Sequence, residues 1–274
     1  MNGKLITPGI SYIITTYNRP ELLLKAIDSV TAERILPSEL IIVDDCGTEI
    51  VEIPLGKQKQ WDGNIHLIRN TQNKGVILSR NVGIEVAKYD YILFLDDDDI
   101  SFPNRSKDLL PYILNNDYAF VAGKCEMLVN NSKVIIPNAP QSELSPILLL
   151  STLPHINSVL WQKSKLTVLG GLDNRVPHLG EHITMQRLLL REGKGIQVNN
   201  VVASFKTIDD GLTAKVVNNN KMVYEFIAFY DALLSDVRDS SLYAIYKEIR
   251  CSLLKETFTT VDDYIDFVKL KTIK

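Results

Sequence analysis

The chain has 274 residues, 45% of them hydrophobic and 23% charged, an ordinary globular usage that excludes a disordered or low-complexity protein. A formal net charge of −3 excludes the global basic field that recruits nucleic acid or an anionic membrane surface. Cys46, Cys125 and Cys251 form no C-x-x-C pair, which argues against a disulfide framework or a zinc ribbon.

Met1-Asn2-Gly3-Lys4 lacks the apolar stretch of a signal peptide, and Pro146 to Leu150 is too short an apolar run to span a bilayer, so a cytoplasmic protein is expected. Ser11 to Thr16 reads as a buried strand ending in Tyr17-Asn18-Arg19-Pro20, where the proline suits the first turn of a helix carrying Leu23, Ile27 and Val30. Leu40 to Val43 is a second strand and ends in Asp44-Asp45. Ile65 to Ile68 is a third. Asn73-Lys74-Gly75 turns into a helix with Ile77, Val82, Ile84 and Val86, and Tyr91 to Leu95 then runs into Asp96-Asp97-Asp98-Asp99. Apolar runs without polar alternation are the habit of strands buried on both faces, and their alternation with helices predicts an α/β fold with a mainly parallel sheet. Parallel strands point the same way, so Thr16-Tyr17, Asp44-Asp45 and Asp96 to Asp99 are expected on one rim.

Beyond Pro103 the spacing predicts a helix over 106–114, a strand at Ala119 to Ala122, and a hairpin from Met127-Leu128-Val129 through Asn130-Asn131 to Val134-Ile135-Ile136. A Pro- and Ser-rich loop follows, then a strand at Ser158 to Trp161, a loop at Gly170-Gly171-Leu172-Asp173, a helix from Glu181 to Arg191 and a strand from Ile196 to Phe205. From about Asn218-Asn219-Asn220 the chain reads as helices only, with Thr260-x-x-Asp263 capping the last. The expected division is an α/β domain over 1–217, with halves 1–105 and 106–217, and a helical extension over 218–274.

Ligands of open α/β sheets bind at the carboxyl ends of the strands. Four adjacent carboxylates there repel one another unless solvated or bridged by a cation. An all-oxygen cluster of this kind suits Mg²⁺ or Mn²⁺, with a substrate's phosphates completing the shell. The plain alternative is a solvated acidic turn. A rival motif, His178-Leu179-Gly180-Glu181-His182, matches the H-x-x-E-H pattern of a zinc peptidase, but Pro177 and Gly180 interrupt the helix that pattern needs.

Thr-Tyr-Asn-Arg-Pro, Val-Asp-Asp, Leu-Asp-Asp-Asp-Asp and the intervening Asn73-Lys74-Gly75 to Arg80-Asn81-x-Gly83 together resemble family 2 glycosyltransferases, inverting enzymes of the GT-A fold. The resemblance spans 11–205 and is densest up to Arg105. It implies that Thr16 and Tyr17 flank a nucleotide, that Asp45 accepts a hydrogen bond from its base, that Gly75 lets the backbone approach, and that Arg80 faces the nucleotide or its diphosphate. It implies that Asp96 and Asp98 form the Asp-x-Asp pair, Asp96 near the ribose and metal shell and Asp98 the direct ligand of Mn²⁺ or Mg²⁺. The fourfold run leaves the register open by one residue, so Asp97 shares the ribose role. The family's base is the Asp of a Glu-Asp pair preceding an Arg; aligned on Arg187, Glu181 stands in its place and Gly180 in that of the Glu. The His that sometimes follows the last strand of the family is absent from Phe205-Lys206-Thr207-Ile208.

The implied activity is metal-dependent, inverting transfer of a hexosyl group from a nucleotide-sugar, expected to be UDP-linked, to an acceptor hydroxyl in polysaccharide or glycoconjugate synthesis. The implied acceptor is a saccharide or a lipid-linked saccharide, which makes peripheral contact with the inner face of a membrane an expectation by analogy. A zinc peptidase and a non-catalytic nucleotide-sugar-binding module are the alternatives.

Overall fold

The computed structural model describes residues 8–62, 64–129, 132–192, 194–206, 221–238, 240–253, 255–256, 258 and 261–272. The expected turn at Asn130-Asn131, Thr207-Ile208, the boundary at Asn218 to Asn220 and the cap at Thr260 lie outside these residues. The first half runs β1 (Ile10–Thr16), α1 (Pro20–Thr31), β2 (Glu39–Asp44), α2 (Leu55–Gln60), β3 (Ile65–Arg69), α3 (Val76–Val86) and β4 (Tyr91–Asp96). The strands pair in parallel in the order β3-β2-β1-β4.

Successive residues of a strand point to opposite faces, and here both faces are covered. Tyr12, Ile14, Leu40, Ile42, Leu93 and Leu95 pack on one side with Leu23, Ile27 and Val30 of α1. Ile13, Ile41, Val43, Ile92 and Phe94 pack on the other with Ile77 and Ile84 of α3. This is why the strand sequences show no alternation.

The second half contributes β5 (Ile100–Ser101), α4 (Arg105–Asn115), β6 (Phe120–Val129), β7 (Ser132–Ile136), β8 (Ser142–Glu143), α5 (Pro146–Thr152), β9 (Val159–Gln162), α6 (Lys163–Leu169), α7 (Gly180–Glu192) and β10 (Ile196–Lys206). Strand β9 is antiparallel to both β4 and β6, and β10 runs parallel to β6, so the sheet continues β4-β9-β6-β10-β5. The strand expected at 119–122 and the first arm of the hairpin are one ten-residue strand, because β10 pairs along its length and β7 takes the other edge of its second part. Helix α5 interrupts the expected Pro- and Ser-rich loop. The Ser145 hydroxyl accepts the Leu148 N–H as its cap, Pro146 opens its first turn, and Leu149 and Leu150 bury its inner face.

Beneath the rim, the fully buried Arg105 donates to the Tyr12 hydroxyl at 2.8 Å and to the Phe94 carbonyl at 2.9 Å. Glu33 accepts the hydroxyls of Tyr12 and Ser101 at 2.6 Å and the Ser106 N–H at 2.9 Å. This buried network ties the turn after α1, and α4, to β1, β4 and β5.

Helices α8 (Lys221–Asp236), α9 (Leu242–Leu253) and α10 (Val261–Thr272) share one apolar cluster with Leu150, Val176 and Ile183. Among the described residues no helix is long and apolar enough to cross a membrane.

Candidate active site

Parallel register brings the strand tips together: Thr15 lies opposite Asp96, and Thr16 opposite Asp44. The buried Thr16 hydroxyl donates to Asp97 at 2.6 Å, and its carbonyl accepts the Asp45 N–H at 2.9 Å. Tyr17 is 47% exposed at the same edge, where a ring can stack on a planar ligand. Asp45 Oδ1 accepts from the Asn70 side chain and the Lys74 N–H, and Oδ2 from the Gly75 N–H, all at 2.8 Å. The carboxylate expected to meet a base therefore also pins the turn before α3. Gly75 has φ +83°, in the left-handed region where a side chain is strained. Asp44 accepts the Gly47 N–H and pairs with Arg69.

Of the four aspartates at the end of β4, three divide between two guanidiniums and the fourth takes an amide. Asp96 accepts from Arg80 at 2.6 Å, and Arg80 is itself buried above the Phe94 ring. Asp98 accepts from Arg19 at 2.6 Å, and the same nitrogen reaches Asp97 at 3.3 Å. Asp99 accepts the Asn157 amide at 2.5 Å. Burial raises the Asp96 carboxyl, but Arg80, His155 and Asn157 together outweigh it and hold the group below the usual range. Burial pushes Asp97 up to about 6 against the Thr16 hydrogen bond. Burial and the charge of Asp96 raise Asp98. Burial and the charges of Asp96 and Asp98 push Asp99 up to about 9.

Ligand atoms of Asp96, Asp99 and His155 lie within 4.8 Å of one another. His155 stacks on Phe205 with ring centroids 4.2 Å apart, accepts the Asn157 N–H on Nδ1 at 3.3 Å, and is pushed by burial down to about 4. A neutral imidazole beside two carboxylates is a donor set that suits a divalent cation. Asp98, expected as the direct ligand, is held on Arg19 instead of in this group.

Across the rim, Glu181 sits in the first turn of α7, half-buried, and its charge acts on Arg80 and His155. Among the described residues no hydrogen bond engages its carboxylate. The absence of a side chain at 180 has a steric reason: a Cβ there would stand 2.1 Å from the Asp173 carbonyl oxygen. Asp173 is gripped by Arg175 at 2.8 Å and Arg187 at 3.2 Å, and Arg175 continues to Asp236 of α8 at 2.8 Å. Asn81 accepts the Leu172 N–H at 2.7 Å and donates to its carbonyl at 2.9 Å, fixing the loop before α7 to α3. His178 precedes α7 and His182 lies within it, so the H-x-x-E-H string does not present two histidines on one helical face. Among the described residues the buried His182 ring finds no partner in hydrogen-bond geometry; burial lowers it, outweighing the Glu181 charge and the Pro154 and Leu153 carbonyls, which favour its protonated form.

The rim thus brings together Thr16, Tyr17, Asp45, Gly75, Arg80 and Asp96 to Asp98, with the charge of Glu181 reaching Arg80. Arg19, Asn81, Asp99, His155 and Asn157 were not singled out from the sequence. Arg19 and Asp99 stood inside the motifs, Asn81 beside Arg80; His155 and Asn157 had no local signal.

Residues 11–149 match the family model described as glycosyl transferase family 2. An uncharacterized glycosyltransferase of Haemophilus influenzae is 26% identical over 274 residues, covering 97% of this chain and 92% of that protein. The UDP-Glc:alpha-D-GlcNAc-diphosphoundecaprenol beta-1,3-glucosyltransferase WfgD of Escherichia coli is 30% identical over 132 residues, 48% of this chain and 51% of its own length. The putative colanic acid biosynthesis glycosyl transferase WcaA of Escherichia coli K12 is 33% identical over 147 residues, 50% of this chain and 51% of its own. The chain thus aligns with only about half the length of these last two. Among solved structures, S. aureus TarS 1-349 in complex with UDP-GlcNAc superposes with a TM-score of 0.66 at 16% identity, covering 90% of this chain and 71% of that one.

Proposed function

The chain belongs to glycosyl transferase family 2 and has the GT-A fold, and from that premise we propose that it transfers a sugar from a UDP-linked donor to an acceptor hydroxyl with inversion at the anomeric carbon. The observation that carries this reading is the convergence at one rim of the Thr16–Asp97 bond, the Asp45–Gly75 turn and the aspartates after β4. Tyr17 stacks on the base, Asp45 keeps acceptor capacity on Oδ2 for a base N–H, and Arg80 with Asp96 and Asp97 borders the ribose and diphosphate.

The residues fit a divalent cation. Asp96, Asp97 and Asp98 share the guanidiniums of Arg19 and Arg80, Asp99 has only an amide, and ligand atoms of Asp96, Asp99 and His155 already converge. Asp96 and Asp98 would hold Mn²⁺ or Mg²⁺, with Asp99 and His155 lining the same space. A cation bound there offsets the charge that develops on the leaving diphosphate.

Glu181 takes the proton of the acceptor hydroxyl as its oxygen forms a bond to the anomeric carbon. The bond from that carbon to the diphosphate oxygen breaks on the opposite face, through an oxocarbenium-like state like that of glycoside hydrolysis. Arg80 holds positive charge beside Asp96 throughout, since burial opposes its charge but Asp96 and Glu181 outweigh that.

We assign catalysis to residues 1–217 and read 218–274 as a helical extension that Arg175 ties to the loop before α7. The diphosphoundecaprenol acceptor in the name of WfgD supports a lipid-linked saccharide acceptor, and the colanic acid in that of WcaA supports polysaccharide or glycoconjugate synthesis; peripheral membrane contact would follow from such an acceptor. A donor screen tests the reading: UDP-, GDP- and dTDP-sugars are titrated with and without Mn²⁺, followed by product anomer analysis. Binding of a UDP-sugar that needs Mn²⁺ and turnover with inverted configuration are expected; indifference to every donor refutes it.

A further inference from the structure

The two guanidiniums that share the aspartates after β4 differ in freedom. The Arg80 side chain is 6% exposed, enclosed above Phe94, and bonds Asp96. The Arg19 side chain is 41% exposed. Both of its hydrogen bonds run through Nη1, to Asp98 at 2.6 Å and Asp97 at 3.3 Å, so Nη2 and Nε make none among the described residues.

Its backbone is held without that side chain. Asn18, at φ +55°, accepts the Thr48 hydroxyl and the Glu49 N–H at 3.1 Å, Pro20 opens α1, and Arg19 at the helix start makes no side-chain cap. A half-exposed arginine on a fixed backbone can swing once another cation takes over its carboxylates, whose side chains are only 6% and 21% exposed. Its fork of donors matches a diphosphate better than one nitrogen shared by two carboxylates.

We propose that Arg19 is the internal counter-ion of Asp98 and Asp97, that a divalent cation displaces it from Asp98, and that the released guanidinium then binds the diphosphate of the donor. This rests on the metal-dependent reading above and adds to it a donor-binding residue and an exchange of cations. It also accounts for the position of Asp98 on Arg19, outside the Asp96, Asp99 and His155 group.

The test uses the full chain, with two binding measurements and no turnover. Mn²⁺ alone is titrated by electron paramagnetic resonance into wild type, Arg19→Met and Arg19→Lys. Removing the competing charge should tighten Mn²⁺ binding in Arg19→Met by about fivefold, the upper range for a partly exposed ion pair. UDP is then titrated calorimetrically at saturating Mn²⁺, where Arg19→Met should bind roughly tenfold more weakly, as expected for a lost charge-assisted hydrogen bond. Arg19→Lys keeps the charge but not the fork. It should match wild type for Mn²⁺ and bind UDP more weakly, and it decides the matter if Arg19→Met does not fold.

Unchanged or weaker Mn²⁺ binding in Arg19→Met, or unchanged UDP binding in both variants, overturns the role of Arg19 while leaving the metal site standing. Wild type that binds UDP without taking up Mn²⁺ overturns the metal-dependent reading itself, and this proposal with it.

Discussion

Asp99 is the aspartate whose protonation the fold changes most visibly. Burial and the neighbouring charges of Asp96 and Asp98 push it up to about 9, and it also faces His155 and the Asn157 amide. An unfolded aspartate titrates near 3.9. With the folded value above the unfolded one, the folded protein keeps a proton that the unfolded chain releases, so this contribution is present at low pH and lost as pH rises through about 9. Between pH 7 and 9 the loss is about 2 kcal/mol, at roughly 1.4 kcal/mol per unit and flattening as the group ionises. Asp99→Asn is the isosteric neutral form and still accepts from Asn157. Urea unfolding in EDTA at pH 7, 8 and 9 should show wild type losing about 2 kcal/mol relative to the variant, against a typical total of about 5–15 kcal/mol. A difference between the two proteins that stays constant from pH 7 to 9 refutes the protonated Asp99.

Three further outcomes follow from the same geometry. Glu181→Gln should leave UDP affinity intact while turnover falls by about 10²- to 10⁴-fold, measured as UDP release; normal turnover removes Glu181 as the base. Gly180→Ala places a methyl where 2.1 Å separates it from the Asp173 carbonyl, so the loop must shift, at about 1–3 kcal/mol in urea unfolding. Asp97 is raised to about 6, and its ionisation adds a negative charge beside the cation ligands Asp96 and Asp98, so Mn²⁺ affinity should climb between pH 5 and 7, and Asp97→Asn should flatten that rise in a titration across the range.

The nucleotide-side architecture was readable because a strand covered on both faces must be apolar throughout, and such runs end where the chain meets water. Ser11 to Thr16 and Tyr91 to Leu95 could hardly be anything else, and parallel pairing then puts their polar ends on one edge. The acidic run and the Gly75 turn announced a site for the same local reason. Helix α5 was missed although Ser145-Pro146 is a cap signal, and β6 was broken in two because its Gly123-Lys124 segment lacks apolar periodicity. What lay beyond local reading was which groups share a charge. Arg19 meets Asp98 across 79 residues and Asn157 meets Asp99 across 58, and no spacing rule reaches that far. The order of residues announced an acidic rim on a parallel sheet; the folded chain alone set which aspartate faces an arginine, which holds a proton, and why position 180 carries no side chain, since each depends on burial and on neighbours brought in from distant elements.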